Sequence, residues 1–277
     1  MQLFKQILNF YINSSIHVAL AVFSLSYITL LEFNISYDKN LLYFIFYATI
    51  TGYNFVKFFG VAKFHYRSLT TWLKLIQFFS LICFLLLCYY ALKLEDKTIY
   101  YIMGFGVITF LYAIPFLPPS KFLDEQNNLR NIGGLKVFLI ALVWSGVTVF
   151  LPLLNNGYII NSEAVIIGLQ RFLLVIMLMI PFEIRDLQFD SIKLATIPQM
   201  LGVKGTKITG VFLGLLFLVL EFLKQEIIVS QLLVLCIMTI VTLLFIVFSR
   251  EHQNRYYCAF WVEGLPILWL LMVLYFT

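Results

Sequence analysis

Long apolar segments, each close to the thickness of a lipid bilayer, follow one another along almost the whole chain. A membrane-spanning helix needs about 20 mainly apolar residues. Segments of this kind lie at residues 14–34, 41–60, 72–92, 98–117, 134–154, 164–184, 207–223, 228–248 and 258–276. Because lipid cannot hydrogen-bond the backbone, and because the apolar runs are continuous rather than alternating, helices are favoured over a β-barrel. The sequence predicts an all-α, polytopic membrane protein of about nine transmembrane helices.

The composition excludes a water-soluble fold. Of the 277 residues, 62% are hydrophobic and 12% are charged, and the mean hydropathy is +0.94. Such a chain has too little polar surface to cover a soluble globule. The apolar segments and their short connections use nearly the whole length, so we expect a single transmembrane domain over residues 1–277. The lipid bilayer is its expected environment, and nothing in the composition predicts a nucleic-acid partner.

Lysine and arginine are distributed unevenly between the two sides of the predicted bundle. Fourteen of the 19 lie at the N-terminus, in the connections after the second, fourth, sixth and eighth segments, or at the adjoining segment ends. The other side has only Lys39, Lys93, Lys97 and Lys224, while Arg171 lies inside the sixth segment. By the positive-inside rule, this asymmetry predicts a cytoplasmic N-terminus and an outside C-terminus. We expect a multi-pass cell membrane protein, and the abundance of Ile, Lys, Phe and Asn favours a bacterial inner membrane.

Three acidic residues cluster at the end of the sixth segment. Glu183, Asp186 and Asp190 are spaced so that, on a continuing helix, their carboxylates share one stripe. Carboxylates at such a short separation repel one another unless a cation neutralises them, and Mg²⁺ prefers carboxylate, phosphate and water oxygens as ligands. Arg185 and Lys193 supply positive charge suited to a diphosphate. The pattern therefore predicts a metal and phosphate site, with a solvated loop at the membrane edge as the alternative.

The same segment resembles the second aspartate-rich motif of the UbiA superfamily of intramembrane prenyltransferases. The family pattern is D-x-x-D-x-x-x-D, followed downstream by T-[LI]-P-x-x-L-G. Glu183, Asp186 and Asp190 match the three acidic positions, with Glu for the first Asp, and residues 196–202 read Thr-Ile-Pro-Gln-Met-Leu-Gly. The segment from Leu111 to Pro115, with Tyr112, is similar to the family's Y-x-x-P segment and precedes a basic loop containing Lys121.

The first aspartate-rich motif of the family, N-D-x-x-D-x-x-x-D, is degenerate in this chain. It falls at the end of the second apolar segment, where Asn54 is retained. The three aspartate positions hold Phe55, Phe58 and Ala62. Basic residues occur on and after the same segment end instead, namely Lys57, Lys63 and Arg67. We therefore expect these basic groups to contact a diphosphate directly, in place of one of the family's two metal clusters.

The resemblance implies a UbiA-like bundle that transfers an isoprenoid group from a prenyl diphosphate to an apolar acceptor in the membrane. It implies catalytic roles for Asp186, Asp190 and Lys57, and Mg²⁺ held by Glu183, Asp186 and Asp190. The implied substrate-binding residues are Asn54, Lys63, Arg67, Tyr112, Lys121, Arg185 and Lys193. The lost first motif leaves two alternatives open: a non-catalytic UbiA-like protein that binds an isoprenoid or lipid, and a transporter. The acceptor, the prenyl length and the oligomeric state are not specified by the sequence.

Overall fold

The computed structural model describes residues 2–64, 71–113, 134–189 and 195–276. Within these ranges all the regular secondary structure is helical, without a strand. Its α-helices are α1 (Gln2–Asn13), α2 (Ile16–Glu32), α3 (Lys39–Phe64), α4 (Thr71–Ala91), α5 (Asp96–Ala113), α6 (Leu135–Ser145), α7 (Leu151–Asn155), α8 (Ser162–Asp186), α9 (Ile197–Glu221), α10 (Val229–Phe248) and α11 (Leu265–Phe276). There are also two π-helical turns. Gly146–Phe150 directly precedes α7, and Tyr257–Val262 lies just before α11. The all-α prediction is confirmed.

Each predicted apolar segment overlaps at least one of these helices. Six stretches of the described chain are long and apolar enough to cross a membrane. A seventh is obtained if α1 and α2, which meet at a bend of 55°, form one broken span. The chain is a multi-pass membrane protein, and the count of nine spans stays a prediction.

The structure corrects the boundary predicted for the seventh segment. Helix α9 begins at Ile197, well before residue 207, because its first turn is capped from both sides. The side chain of Thr196 accepts from the third residue of the helix, and Gln199 accepts the backbone N–H of Thr196 at 3.0 Å. Pro198 fits this first turn because its missing N–H has no partner to lose there. The Thr-Ile-Pro-Gln-Met-Leu-Gly segment is therefore a short capped helical segment, and it ends at a kink at Gly202 (φ 68°, ψ 166°) before the longer part of α9.

Helices α2 and α8 form the centre of the bundle. Their side chains are buried on nearly all sides, from Val18 to Leu30 on α2 and from Leu173 to Ile184 on α8. Helix α2 packs on α3 and α11, α11 on α10, α10 on α9, α9 on α8, and α8 on α6. Helices α4 and α9 expose rows of large apolar side chains, including Phe78 and Phe212. A surface of that kind suits contact with lipid tails.

The bundle has two chemically different ends. We use "motif end" for the end at which α3 and α8 terminate and α9 begins; it carries Lys57, Asp186 and Thr196. The "opposite end" carries the end of α2, the start of α8 and the end of α9, with Glu32, Glu163 and Glu221.

Candidate functional site

Glu183, the first acidic residue of the motif, is buried at the motif end. Only 2% of its side chain is exposed, and its Oε1 lies 2.9 Å from Nζ of Lys136 on α6. The Lys136 side chain is 15% exposed. A buried carboxylate needs a partner of this kind, since an uncompensated charge is costly to bury. The charge of Glu183 is therefore already neutralised within the protein.

Asp186, the second acidic residue, is held by its neighbour in sequence. The guanidinium of Arg185 donates through Nε to Oδ1 at 2.7 Å and through Nη2 to Oδ2 at 3.1 Å. The guanidinium carbon also lies 5.1 Å from the centre of the Phe182 ring. About a quarter of each charged side chain remains exposed. The ion pair is bidentate, which is the geometry in which arginine commonly binds carboxylate or phosphate groups.

Helix α8 does not continue through the motif as expected. It ends at Asp186, and the Phe189 N–H donates to the Asp186 carbonyl at 2.8 Å, which closes a turn. The single helical stripe predicted for residues 183–190 is therefore not formed over 187–189. Asp190 lies outside the described residues.

Both described acidic residues of the predicted magnesium site already have a cationic partner within the protein. Glu183 is paired with Lys136, and Asp186 is paired with Arg185. Among the described residues, no group of three or more His, Cys, Asp or Glu side chains is arranged to hold a metal ion. Glu183 and Asp186 alone therefore do not make the predicted magnesium site.

A chain of hydrogen bonds organises the degenerate first motif at the end of α3. Asn54 is 3% exposed and donates through Nδ2 to Ser80 Oγ at 2.7 Å and to the Ser14 carbonyl at 3.1 Å. Its Oδ1 accepts from Ser15 Oγ at 2.8 Å. Lys57 donates to the same Ser15 oxygen at 2.8 Å. The retained asparagine thus ties α3 to α4 and to the bend before α2, and it fixes the position of Lys57.

The bend itself depends on a residue in an unusual backbone conformation. Ser15 has φ of +65°, in the left-handed region that L-residues seldom adopt. Its buried hydroxyl is hydrogen-bonded to both Asn54 and Lys57, which compensates part of the strain.

Glu263 connects the two halves of the motif end electrostatically. It follows the π-helical turn before α11, and its charge acts on Lys57 from α3 and on Arg185 from α8. Beside it, His17 Nε2 donates to the Phe260 carbonyl at 2.8 Å. Because that nitrogen carries the proton in a neutral ring, His17 Nδ1 accepts from Tyr11 O–H at 2.8 Å. The Glu263 carboxylate therefore lies within electrostatic range of one cation from each motif, Lys57 and Arg185.

Comparison with solved structures identifies this arrangement of helices. The apo structure of a UbiA homologue from Aeropyrum pernix K1 is similar over 94% of this chain and 98% of its own, with a TM-score of 0.65 and 12% identity. The chain has the UbiA fold. A structure of digeranylgeranylglyceryl phosphate synthase in membranes is similar over 98% of this chain and 97% of its own, with a TM-score of 0.56 and 15% identity. No protein-family model matches the sequence. No curated protein matches it either.

The UbiA fold brings several of the predicted site residues to one end of the bundle. Asn54, Lys57, Glu183, Arg185 and Asp186 all lie at the motif end. Tyr112 lies in the last turn of α5, at the same end. Lys63 is in α3, but its side chain is not among those described. Arg67, Lys121, Asp190 and Lys193 lie outside the described residues.

Three polar residues of the motif end carry little sequence signal. Ser15 and Ser80 take part in the Asn54 network, but isolated serines are common in membrane helices and give no indication of a site. Tyr53 accepts a hydrogen bond from Trp144 Nε1 at 2.9 Å, which links α3 to α6. Glu263 is different, because an acidic residue within an apolar segment is a signal in itself.

Proposed function

We propose that this protein is a divergent prenyltransferase that moves an isoprenoid group from a prenyl diphosphate to an apolar acceptor within the membrane. The observation that carries the proposal is the approach of Lys57 and Arg185, one from each family motif, to the same end of a UbiA fold. Both act on Glu263. A pair of cations at the membrane edge suits a diphosphate, while the apolar body of the bundle suits an isoprenoid chain.

The described residues support a specific binding mode. Lys57 is exposed and fixed in position by Ser15, so its ammonium group can contact a phosphate oxygen without reorganisation. Arg185 already binds two carboxylate oxygens of Asp186, and a diphosphate would take over one or both of these hydrogen bonds. Cations so placed stabilise the negative charge that develops on a leaving diphosphate. Lys63, Arg67, Tyr112, Lys121 and Lys193 are proposed as further substrate-binding residues.

Magnesium belongs to the proposal as a cofactor of the second motif. Asp186, released from Arg185, and Asp190 would hold the ion, and Glu183 would join them only if Lys136 were displaced. The ion would contribute Lewis-acid neutralisation of the diphosphate. Asp186, Asp190 and Lys57 are therefore the residues proposed to act on the reacting group.

A non-catalytic UbiA-like protein that binds an isoprenoid or lipid is the second candidate function. It is favoured by a specific observation: both described acids of the second motif are neutralised by Lys136 and Arg185. In that case the motif end would bind a diphosphate or lipid headgroup through its cations and release no product.

We propose the orientation that the charges predict, with the motif end facing the cytoplasm. The N-terminus would then be cytoplasmic and the C-terminus outside, in a bacterial inner membrane, with residues 1–277 acting as one transmembrane domain. Reaction with a membrane-impermeant thiol reagent at cysteines introduced in place of Lys97 and Lys204 tests this, since the two lie at opposite ends and are exposed. Labelling of the Lys204 position from the outside would contradict the orientation.

The decisive experiment measures diphosphate release by the purified full-length protein. The assay takes a panel of prenyl diphosphates of increasing length, a membrane extract as the acceptor source, and Mg²⁺ present or chelated. We expect release by the wild type and loss of release in Asp186→Ala. Lys57→Ala should weaken binding of the prenyl diphosphate by about tenfold, as removal of a charged hydrogen bond does.

Lys74→Ala is the matched control, because Lys74 is an exposed lysine of α4 at the same end with no assigned role. Release that is unchanged in Lys57→Ala would contradict the role of the basic residues. Prenyl diphosphate binding without release under any condition would exclude the transferase and favour the second candidate.

A further inference from the structure

A second cluster of charged residues lies at the opposite end of the bundle, away from both family motifs. It surrounds a cavity of about 380 Å³ between the ends of α2, α9, α10 and α11. The polar residues of the wall are Glu32, Asn34, Glu221, Lys224, Ser230 and Gln231. The apolar part of the wall includes Leu235, Trp269 and Phe276.

One carboxylate of this cluster is satisfied by the protein. Oε2 of Glu221 lies 2.8 Å from Nζ of Lys224 and accepts from Gln170 Nε2 at 2.9 Å. Glu221 is 2% exposed, so these two partners compensate a buried charge. Lys224 pairs with Glu221 on one side of the cavity, and because an ammonium group has three N–H donors it can also donate to a ligand.

One oxygen of the other carboxylate, that of Glu32, lacks a hydrogen-bond donor among the described residues. Oε2 of Glu32 is buried and has no hydrogen-bond partner among the described residues. Its cation neighbour, Nη2 of Arg171, is 3.9 Å away, beyond hydrogen-bond distance. Arg171 is itself 1% exposed, and its guanidinium lies 4.8 Å from the centre of the Trp269 ring. A buried carboxylate oxygen without a donor is costly, so the arrangement favours a ligand that donates hydrogen bonds.

The charge of the cavity favours a cationic donor. Its wall carries two carboxylates, Glu32 and Glu221, against one ammonium group, that of Lys224. Outside the wall, Glu163 and Arg171 also act on Glu32, so three carboxylates stand against two cations around this cavity. A primary ammonium group supplies positive charge and three N–H donors at once.

The apolar part of the wall favours a lipid as the carrier of that ammonium group. Ile228, at the start of α10, is 49% exposed, and Phe276, at the end of α11, is 45% exposed. The cavity therefore continues into apolar surface at the edge of the bundle, where acyl chains of the bilayer would lie. Lys224 and Ser230 lie on the same wall and suit the phosphate of such a lipid.

We propose that this cavity binds a phospholipid with a primary ammonium headgroup, of the phosphatidylethanolamine class. The ammonium group hydrogen-bonds to Glu32 beside Glu221, the phosphate contacts Lys224, and the acyl chains lie along Ile228 and Phe276. The site is independent of the proposed transferase reaction, because it shares no residue with the motif end.

The test is native mass spectrometry of the full-length, delipidated protein with defined lipids. Dioleoylphosphatidylethanolamine should bind about tenfold more tightly than dioleoylphosphatidylcholine, whose trimethylammonium group cannot donate a hydrogen bond. Dioleoylphosphatidylglycerol, which has no cation, should bind as weakly as the choline lipid. Glu32→Gln should abolish this preference, whereas Glu226→Gln, an exposed carboxylate of the adjoining loop outside the cavity wall, should retain it.

A steric variant covers the case in which Glu32→Gln does not fold. Ser230→Leu removes no charge but fills part of the cavity, and it should also reduce binding of the ethanolamine lipid. Equal binding of ethanolamine and choline lipids by the wild type would overturn the proposal. Retention of the preference in both variants would also overturn it. Displacement of the lipid by an equal concentration of soluble phosphoethanolamine would overturn it as well, because that result would show that the apolar wall does not contribute to binding.

Discussion

The Nζ of Lys136 lies 2.9 Å from Oε1 of Glu183, and this buried ion pair joins the first turn of α6 to the last turns of α8. It occurs at the position where the family motif has an aspartate. Because the cation comes from another helix, Glu183 contributes to helix packing whether or not it also takes part in binding.

Removing one partner of this pair is expected to destabilise the bundle strongly. Lys136→Ala removes the ion pair that compensates the buried Glu183 carboxylate, so the free energy of unfolding should fall by about 3–5 kcal/mol. The double variant Lys136→Met with Glu183→Gln removes both charges and should recover a large part of that loss. Thermal unfolding in detergent measures both, with Lys204→Ala as the control on an exposed lysine of α9. An equal effect of Lys136→Ala and Lys204→Ala would contradict a structural role for the pair.

Asn54→Ala is expected to disrupt the motif end without removing a charge. The side chain makes hydrogen bonds to Ser14, Ser15 and Ser80, and its loss leaves several of these groups unsatisfied. We expect a loss of about 2 kcal/mol in the free energy of unfolding. Thr49→Ala is the matched control on the same helix, since among the described residues that hydroxyl donates only to the Ile45 carbonyl of its own helix. A comparable loss of free energy of unfolding in the two variants would show that the Asn54 hydrogen bonds contribute no more to stability than one hydrogen bond within a helix.

The sequence predicted the helices well because the constraint that forms them is local and strong. Every backbone group within lipid must be paired inside its own helix, and a run of about 20 apolar residues meets that requirement. Asn54 and Lys57 of the degenerate motif lie at the same end of the bundle as Glu183 and Asp186.

The pairing of charges between helices was not predictable in the same way. Glu183 and Lys136 are 47 residues apart, and nothing in either segment specifies the other. The end of α8 at Asp186 and the start of α9 at Ile197 depend on a turn and a capping box that the apolar pattern does not register. The spacing of the three acids therefore suggested one helical stripe, whereas the backbone turns after the second of them.

Gly264→Ala tests the close approach of the chain beside His17. A methyl group at this position would come within 2.7 Å of the Phe260 carbonyl oxygen, a backbone atom that cannot move aside easily. The same oxygen accepts the His17 hydrogen bond, so both the packing and that bond are disturbed. We expect a loss of about 1–3 kcal/mol in the free energy of unfolding. Gly106→Ala is the control, because a methyl group there would meet nothing within 4 Å, and it should be neutral or slightly stabilising. If Gly106→Ala destabilised the protein and Gly264→Ala did not, the steric explanation would be contradicted.

Glu263→Gln separates the electrostatic role of this residue from its packing role. Its negative charge acts on Lys57 and Arg185, so it offsets the two cations that are proposed to bind a diphosphate. Replacing it with the nearly isosteric amide removes that offset, and the affinity for a prenyl diphosphate should rise by about fivefold, equivalent to roughly 1 kcal/mol of removed repulsion. Titration calorimetry with a prenyl diphosphate and with inorganic diphosphate measures the change. Because Lys57→Ala should lower the same affinity, opposite effects of the two substitutions would link the charges to one bound anion, whereas weakened binding in both would contradict that link.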